Sequence, residues 1–273
     1  MVKKRLIPAL ILRDGRVVQS HKFNHTNVIH WKPVTAVDFF NRWAIDELVL
    51  LDVSRDVTHR ETFYEIVMGL SKKCFLPLTV GGWVRSTEDM RDLLRRGADK
   101  IVVNTEAFRR PAFITECARA FGSQCVVVSI DARRVASGGY EVVVDRGREP
   151  TGVSPFDWAR QAEAAGAGEI YLTSIDHDGD RAGYDLELLR GVVDAVGIPV
   201  IAFGGVSTWQ HLVDGIVIGG AEAVAAANIF HYTEHSTKKA KEHLWRSGVD
   251  VRVPEFWAFE RAAATDPAAR RMR

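Results

Sequence analysis

Cysteine is scarce in this chain. Only three occur in 273 residues, Cys74, Cys117 and Cys125. No CxxC pair is among them, which excludes a disulfide framework and fits reduced thiols in a cytoplasmic protein. Charge of one sign is missing as well. The formal net charge is +1, so nothing electrostatic draws the chain to nucleic acid or to an anionic membrane surface. Long apolar runs are absent too. The N-terminus is basic and then apolar, but the apolar run 6–12 is too short to span a bilayer. No small-residue cleavage site follows it, so it reads as a first buried strand. No GxGxxG follows that run, which counts against a doubly wound dinucleotide-binding sheet.

What is present is an ordinary globular balance, 47% hydrophobic and 26% charged, in a length that suits one (β/α)₈ barrel of about 250 residues. Eight short apolar runs recur at 6–12, 48–52, 76–80, 100–104, 125–130, 169–173, 199–203 and 223–227. They are nearly continuous rather than alternating, as parallel strands buried on both faces should be. Helical spacing lies between them, with Val37, Phe40, Trp43 and Ala44 in one segment and Phe63, Ile66, Val67 and Leu70 in another. Ser86 with Asp89, and Ser207 with Gln210, have capping-box spacing. Ser154-Pro155 and Asp185 are further helix starts, and Gly97, Gly122, Gly166 and Gly248 are stops. Strand–helix alternation repeated eight times gives an α/β class and a TIM barrel over residues 1–252, with 253–273 as a C-terminal extension.

The two halves also match each other. Leu78-Thr79-Val80-Gly81-Gly82 pairs with Ile201-Ala202-Phe203-Gly204-Gly205. The segment from Val102 to Phe108 is similar to that from Ala226 to Phe230. A duplicated half-barrel places the ends of its first and fifth strands in equivalent positions across the mouth. Here those positions hold Ile11 and Asp131.

From Lys4 to about Arg252 the sequence resembles the cyclase subunit of imidazole glycerol phosphate synthase. The resemblance is carried by Asp14-Gly15-Arg16-Val17-Val18, Asp46 to Asp52, Arg96 to Lys100, Phe121 to Ala132, and Leu172 to Asp185. It implies a lyase-type subunit of histidine biosynthesis, working as a heterodimer with a glutaminase and needing no cofactor or metal. Ammonia would enter through a ring of four charges at the barrel bottom, matched here by Arg5, Glu47, Lys100 and Glu169. Asp99, on the same face, matches a glutaminase-interface position. At the top, two aspartates act as acid and base in the family. Ligand-binding positions are matched by Asp52, Gly81, Gly82, Asn104, Thr173, Asp178, Gly204, Gly205 and Asn228.

The departures are concentrated at the top. Asp131 is kept, but Ile11 replaces its first-strand partner, and an alkyl group transfers no proton. A family lysine is Gln19. Trp83 stands for the third glycine of the first phosphate turn, Phe203 and Asn228 stand for serines, and Asp180 brings an anion where phosphate would sit. The segment 20–33 leaves the family pattern and carries His21, His25 and His30. These read as solvated loop histidines, since no carboxylate or cysteine cluster completes a metal site. The leading expectation is therefore an ammonia-channelling, cyclase-like subunit of a glutamine-dependent amidotransferase. It would serve amidine formation on an acetamido sugar of surface polysaccharide, with a separate sugar amidotransferase as a further partner. The alternatives are the standard cyclase and a non-catalytic activator of a glutaminase.

Overall fold

A computed structural model describes residues 2–33, 45–230 and 236–252. The helical segment expected around Val37, Phe40, Trp43 and Ala44, and the extension 253–273, lie outside the described residues. Twelve strands follow in order: β1 (Arg5–Arg13), β2 (Arg16–His21), β3 (His25–His30), β4 (Leu48–Asp52), β5 (Leu78–Gly81), β6 (Lys100–Val103), β7 (Val126–Arg134), β8 (Tyr140–Val144), β9 (Glu149–Pro150), β10 (Glu169–Ser174), β11 (Val200–Phe203) and β12 (Ala223–Ala226). Eight of them, β1, β4, β5, β6, β7, β10, β11 and β12, pair in parallel. Pairing of β7 with β10 and of β12 with β1 closes the ring. The fold is a (β/α)₈ barrel, and each expected strand overlaps one of these eight.

The described helices are α1 (Arg60–Ser71), α2 (Thr87–Arg95), α3 (Thr105–Arg109), α4 (Ala112–Phe121), α5 (Pro155–Ala165), α6 (Leu186–Ala195), α7 (Trp209–Val217) and α8 (Ser236–Arg246). They cover the outside of the barrel and give it two cores. Alternate β1 residues Leu6, Leu10 and Leu12 face the helices and join Phe63, Met90 and Phe113. The other set, Ile7, Ala9 and Ile11, faces the lumen with Val49, Val102, Val127 and Ile201. Burial on both faces is the reason the strands read as unbroken apolar runs.

Helix starts follow the expected side chains in three places. Ser86 and Asp89 cap α2 reciprocally, Ser154 with Pro155 opens α5, and Asp185 accepts from Leu188 N at the start of α6. The expected box at Ser207 is corrected. Thr208 caps α7 by accepting from His211 N, while the Ser207 hydroxyl donates to Arg181 O at 2.7 Å. A threonine one residue later has the better reach to the third helical N–H.

The segment 20–33 is mostly not a loop. β2 and β3 form an antiparallel hairpin, with His21 opposite His25. It grows from β1 through a turn at Asp14 and Gly15, both at positive φ. Asp-Gly suits such a tight turn. Among the described residues no group of three His, Cys, Asp or Glu could hold a metal ion, and no described helix is long and apolar enough to cross a membrane.

Candidate active site at the top of the barrel

Both ends of the lumen are polar, and they differ in kind. At the bottom, four inward side chains close a ring of alternating charge. Arg5 donates to Glu47 Oε2 at 2.7 Å and to Glu169, and Lys100 Nζ donates to Glu47 at 2.9 Å and Glu169 at 3.0 Å. Thr79 Oγ1 donates to the second Glu47 oxygen at 2.5 Å. Both carboxylates are buried, while the cations keep some contact with water. Burial disfavours the Arg5 charge, but Glu169 and Glu47 outweigh it and hold its pKa above the ordinary value. Asp99 is exposed on the same face, and its carboxylate accepts from Leu78 N at 2.8 Å, tying down the start of β5.

At the top, the strand ends converge on Asp131. Residues at the ends of neighbouring strands pair in register, Thr173 with Asp131. Asn104 Nδ2 donates to Asp131 Oδ2 at 2.8 Å, and Ser129 Oγ approaches Oδ1 at 3.5 Å. Burial dominates the titration of this carboxyl. Hydrogen bonds from Asn104, Thr173 and Ser129 pull its pKa down and the Asp178 charge pushes it up, leaving it at about 7. Burial also raises Asp52 and Asp178. Asp52 Oδ1 accepts from Ser54 N at 2.6 Å. Asp178 Oδ2 accepts from Ser20 Oγ at 2.6 Å and from Phe23 N at 3.3 Å, which fastens the β2–β3 hairpin over the mouth.

Two cavities open here. The larger, about 530 Å³, is lined by Asp52, Gly81, Gly82, Asn104, Asp131, Thr173 and Asp178. The smaller, about 220 Å³, is lined by Asp178, Gly204, Gly205 and Asn228. Every ligand-binding position read from the sequence therefore borders a cavity. Ile11, Ser20, Asp178 and Phe203 border both cavities and stand where they meet. Two glycines are required where they are. Gly82 has φ +129° and a side chain there would press on Asp52 at 2.9 Å, while one on Gly205, at φ +86°, would run into the Gly183 carbonyl.

The substituted positions behave in different ways. Trp83 keeps the left-handed backbone of the glycine it replaces, at φ +62°, a conformation that costs a non-glycine residue about 1–2 kcal/mol. Its indole N–H faces the Asp52 carboxyl and favours its charged form, against the larger upward push of burial on that group's pKa. Asp180 is corrected. It lies outside both cavity linings and pairs with Lys22 at 3.7 Å, and its neighbour Arg181 lines the smaller cavity instead. The sequence reading also missed Arg13, Arg55, Arg85, Arg109 and Arg146, which border the larger cavity. They come from the end of β1, the end of α3 and separate loops, so no local motif announces them. Arg146 reaches across the mouth to donate to Ser54 O at 2.5 Å. The result is a carboxylate floor under a rim of mixed charge, in which Glu106 and Asp145 stand among the arginines and Arg109 is held by Glu149.

A buried carboxyl with a pKa of about 7 at the carboxyl ends of barrel strands is an arrangement that suits acid–base chemistry. The resemblance to a cyclase subunit agrees with the comparison with known families. Residues 5–236 match the histidine biosynthesis protein family, and the chain belongs to that family.

Proposed function

We propose that the chain is an ammonia-conducting, cyclase-like subunit of a glutamine-dependent amidotransferase whose acceptor differs from the family's bisphosphate. Amidine formation on an acetamido sugar of surface polysaccharide is the reaction we assign to it, with a separate sugar amidotransferase as a further partner. The carrying observation is the contrast between the two ends of the lumen. The charged ring at the bottom is complete, whereas Ile11 is the residue opposite Asp131 and, with Phe203, stands between the two cavities. Buried charges cost stability unless paired, and apolar replacements are often more stable. Four retained charges therefore support a use, and ammonia entry is that use.

The direct test is ammonia-dependent turnover of the family's bisphosphate intermediate. The wild-type chain is expected to give none above background, and a rate like that of an ordinary cyclase overturns the reading. Ile11→Asp separates the alternatives further. Because Phe203 and Trp83 still crowd the turns, turnover with the added carboxyl is expected to stay within about tenfold of background. A gain of several hundredfold would mean that the standard substrate still fits.

The glutaminase partner is assigned to the lower face. Phe75, in the loop leading into β5, is 91% exposed there, near Asp99. Large apolar groups central to an interface carry much of its energy. Phe75→Asp is expected to weaken the glutaminase complex at least about tenfold in a titration, with the thermal midpoint of the isolated chain unchanged. Unaltered affinity would move the interface elsewhere.

A further inference from the structure

Among the described residues, the lumen between the charged ring and Asp131 is mostly apolar; Ser129 there is turned to Asp131, and one further polar group is used by neither end. Inward residues of β10 are Glu169, Tyr171 and Thr173. Glu169 belongs to the ring, and Thr173 is in register with Asp131. Tyr171 is one layer below Asp131, in register with Ser129. Two residues of strand rise about 7 Å, so the Tyr171 layer is about that far from either charged layer. The side chain is fully buried and packs among Ile7, Val49, Val102, Val127 and Ile201. Its ring lies 5.2 Å from that of Phe203, centroid to centroid. Its hydroxyl has no hydrogen-bond partner.

A phenylalanine would fill the same space without the penalty of an unpaired buried hydroxyl. We infer that the Tyr171 hydroxyl is a binding point for an uncharged small amine, holding ammonia between the charged ring and Asp131. This rests on the reading that ammonia passes through the barrel. The chemistry fits a neutral guest. A hydroxyl both donates and accepts, so its O–H can meet the nitrogen lone pair while its oxygen takes an N–H. Burial raises the Tyr171 pKa well above its ordinary range, so the donor is always present. Ammonium has no lone pair to accept that O–H, and its charge is disfavoured among apolar walls. The site therefore selects the nucleophilic form on its way to the upper cavity.

The test uses the full chain carrying ¹³C-methyl labels on isoleucine, valine and alanine and ¹³Cζ labels on tyrosine. Ammonium chloride is titrated above and below the ammonium pKa, with sodium chloride as control. Tyr171→Phe assigns the Tyr171 signal and is titrated in parallel. The expected result is a saturable shift of Tyr171 Cζ and of lumen methyls only where free ammonia is abundant. In Tyr171→Phe the methyl shifts persist with an apparent affinity at least about fivefold weaker. If the lumen methyls respond but Tyr171 does not, or if Tyr171→Phe binds equally well, the tyrosine has no such role and passage through the barrel stands. If no lumen signal responds, passage itself fails and the inference fails with it.

Discussion

Asp131→Asn is expected to stabilise the protein by about 4 kcal/mol near pH 8 and by less than about 1 kcal/mol near pH 4. The difference follows from the carboxyl's pKa, which burial moves from 3.8 to about 7. Below 3.8 both folded and unfolded chains carry the protonated acid, and the group contributes no pH dependence. Between the two values the folded state holds a proton that the unfolded state has released, so stability falls as pH rises. Above about 7 the penalty is complete, because a buried charge is then carried by the folded state. Asparagine has the size of the neutral acid and can still accept the Asn104 hydrogen bond. Denaturant melts of both proteins across this range check the prediction, and an equal effect at both ends would refute it. Under the proposed function, the same substitution should lower ammonia-dependent transfer to the acceptor by roughly 10²–10⁴-fold. Gaining stability while losing activity is the mark of a group held in a strained state for chemistry. A carboxyl half-ionised at neutral pH can serve as acid or as base, which is the most that one residue can do when Ile11 offers no partner.

Much of this is legible in the sequence alone. Continuous runs such as Leu48–Asp52 could be read as strands because burial on both sides removes the polar half of the alternation. Ser86, Ser154 and Asp185 announced helices because their capping bonds are local. The hairpin was missed, although Asp14-Gly15 and the buried Val17 and Val18 carried a turn and a strand signal. Those residues were read only as part of a family pattern. Asp180 was misjudged because sequence position does not tell which of two adjacent residues, Asp180 or Arg181, turns toward a cavity. The mixed-charge rim and the orphan Tyr171 hydroxyl are contacts between distant strands and loops, and spacing along the chain holds no trace of them. The ring at the bottom stood between these cases. Its four residues came from resemblance, and their mutual hydrogen bonds came from the barrel's closure.

Loss of the Asp46–Lys241 pair should be the most damaging single change to stability. Lys241, on α8, is fully buried, and its ammonium donates to both Asp46 oxygens at 2.6 Å. Asp46 also accepts from Leu6 N at 2.8 Å, one residue from Arg5 of the ring. Asp46→Ala strips a buried cation and a strand N–H of their acceptor together, and a cost of about 3–5 kcal/mol is expected. Lys241→Met is milder, because Asp46 retains the Leu6 bond and the thioether fills the space left by the amine. The double substitution should cost less than the sum of the two, since once the carboxylate is gone the ammonium is itself a liability. Burial already lowers the Lys241 pKa with Asp46 in place. The folded state therefore binds fewer protons than the unfolded state below the ordinary lysine value, and stability from this group rises with pH there. Without Asp46 that slope should steepen, and alkaline buffer should partly rescue Asp46→Ala. Urea melts of the three variants at neutral and alkaline pH decide the matter. Additive costs with no alkaline rescue would reduce the pair to surface electrostatics and leave α8 held to β1 by packing alone.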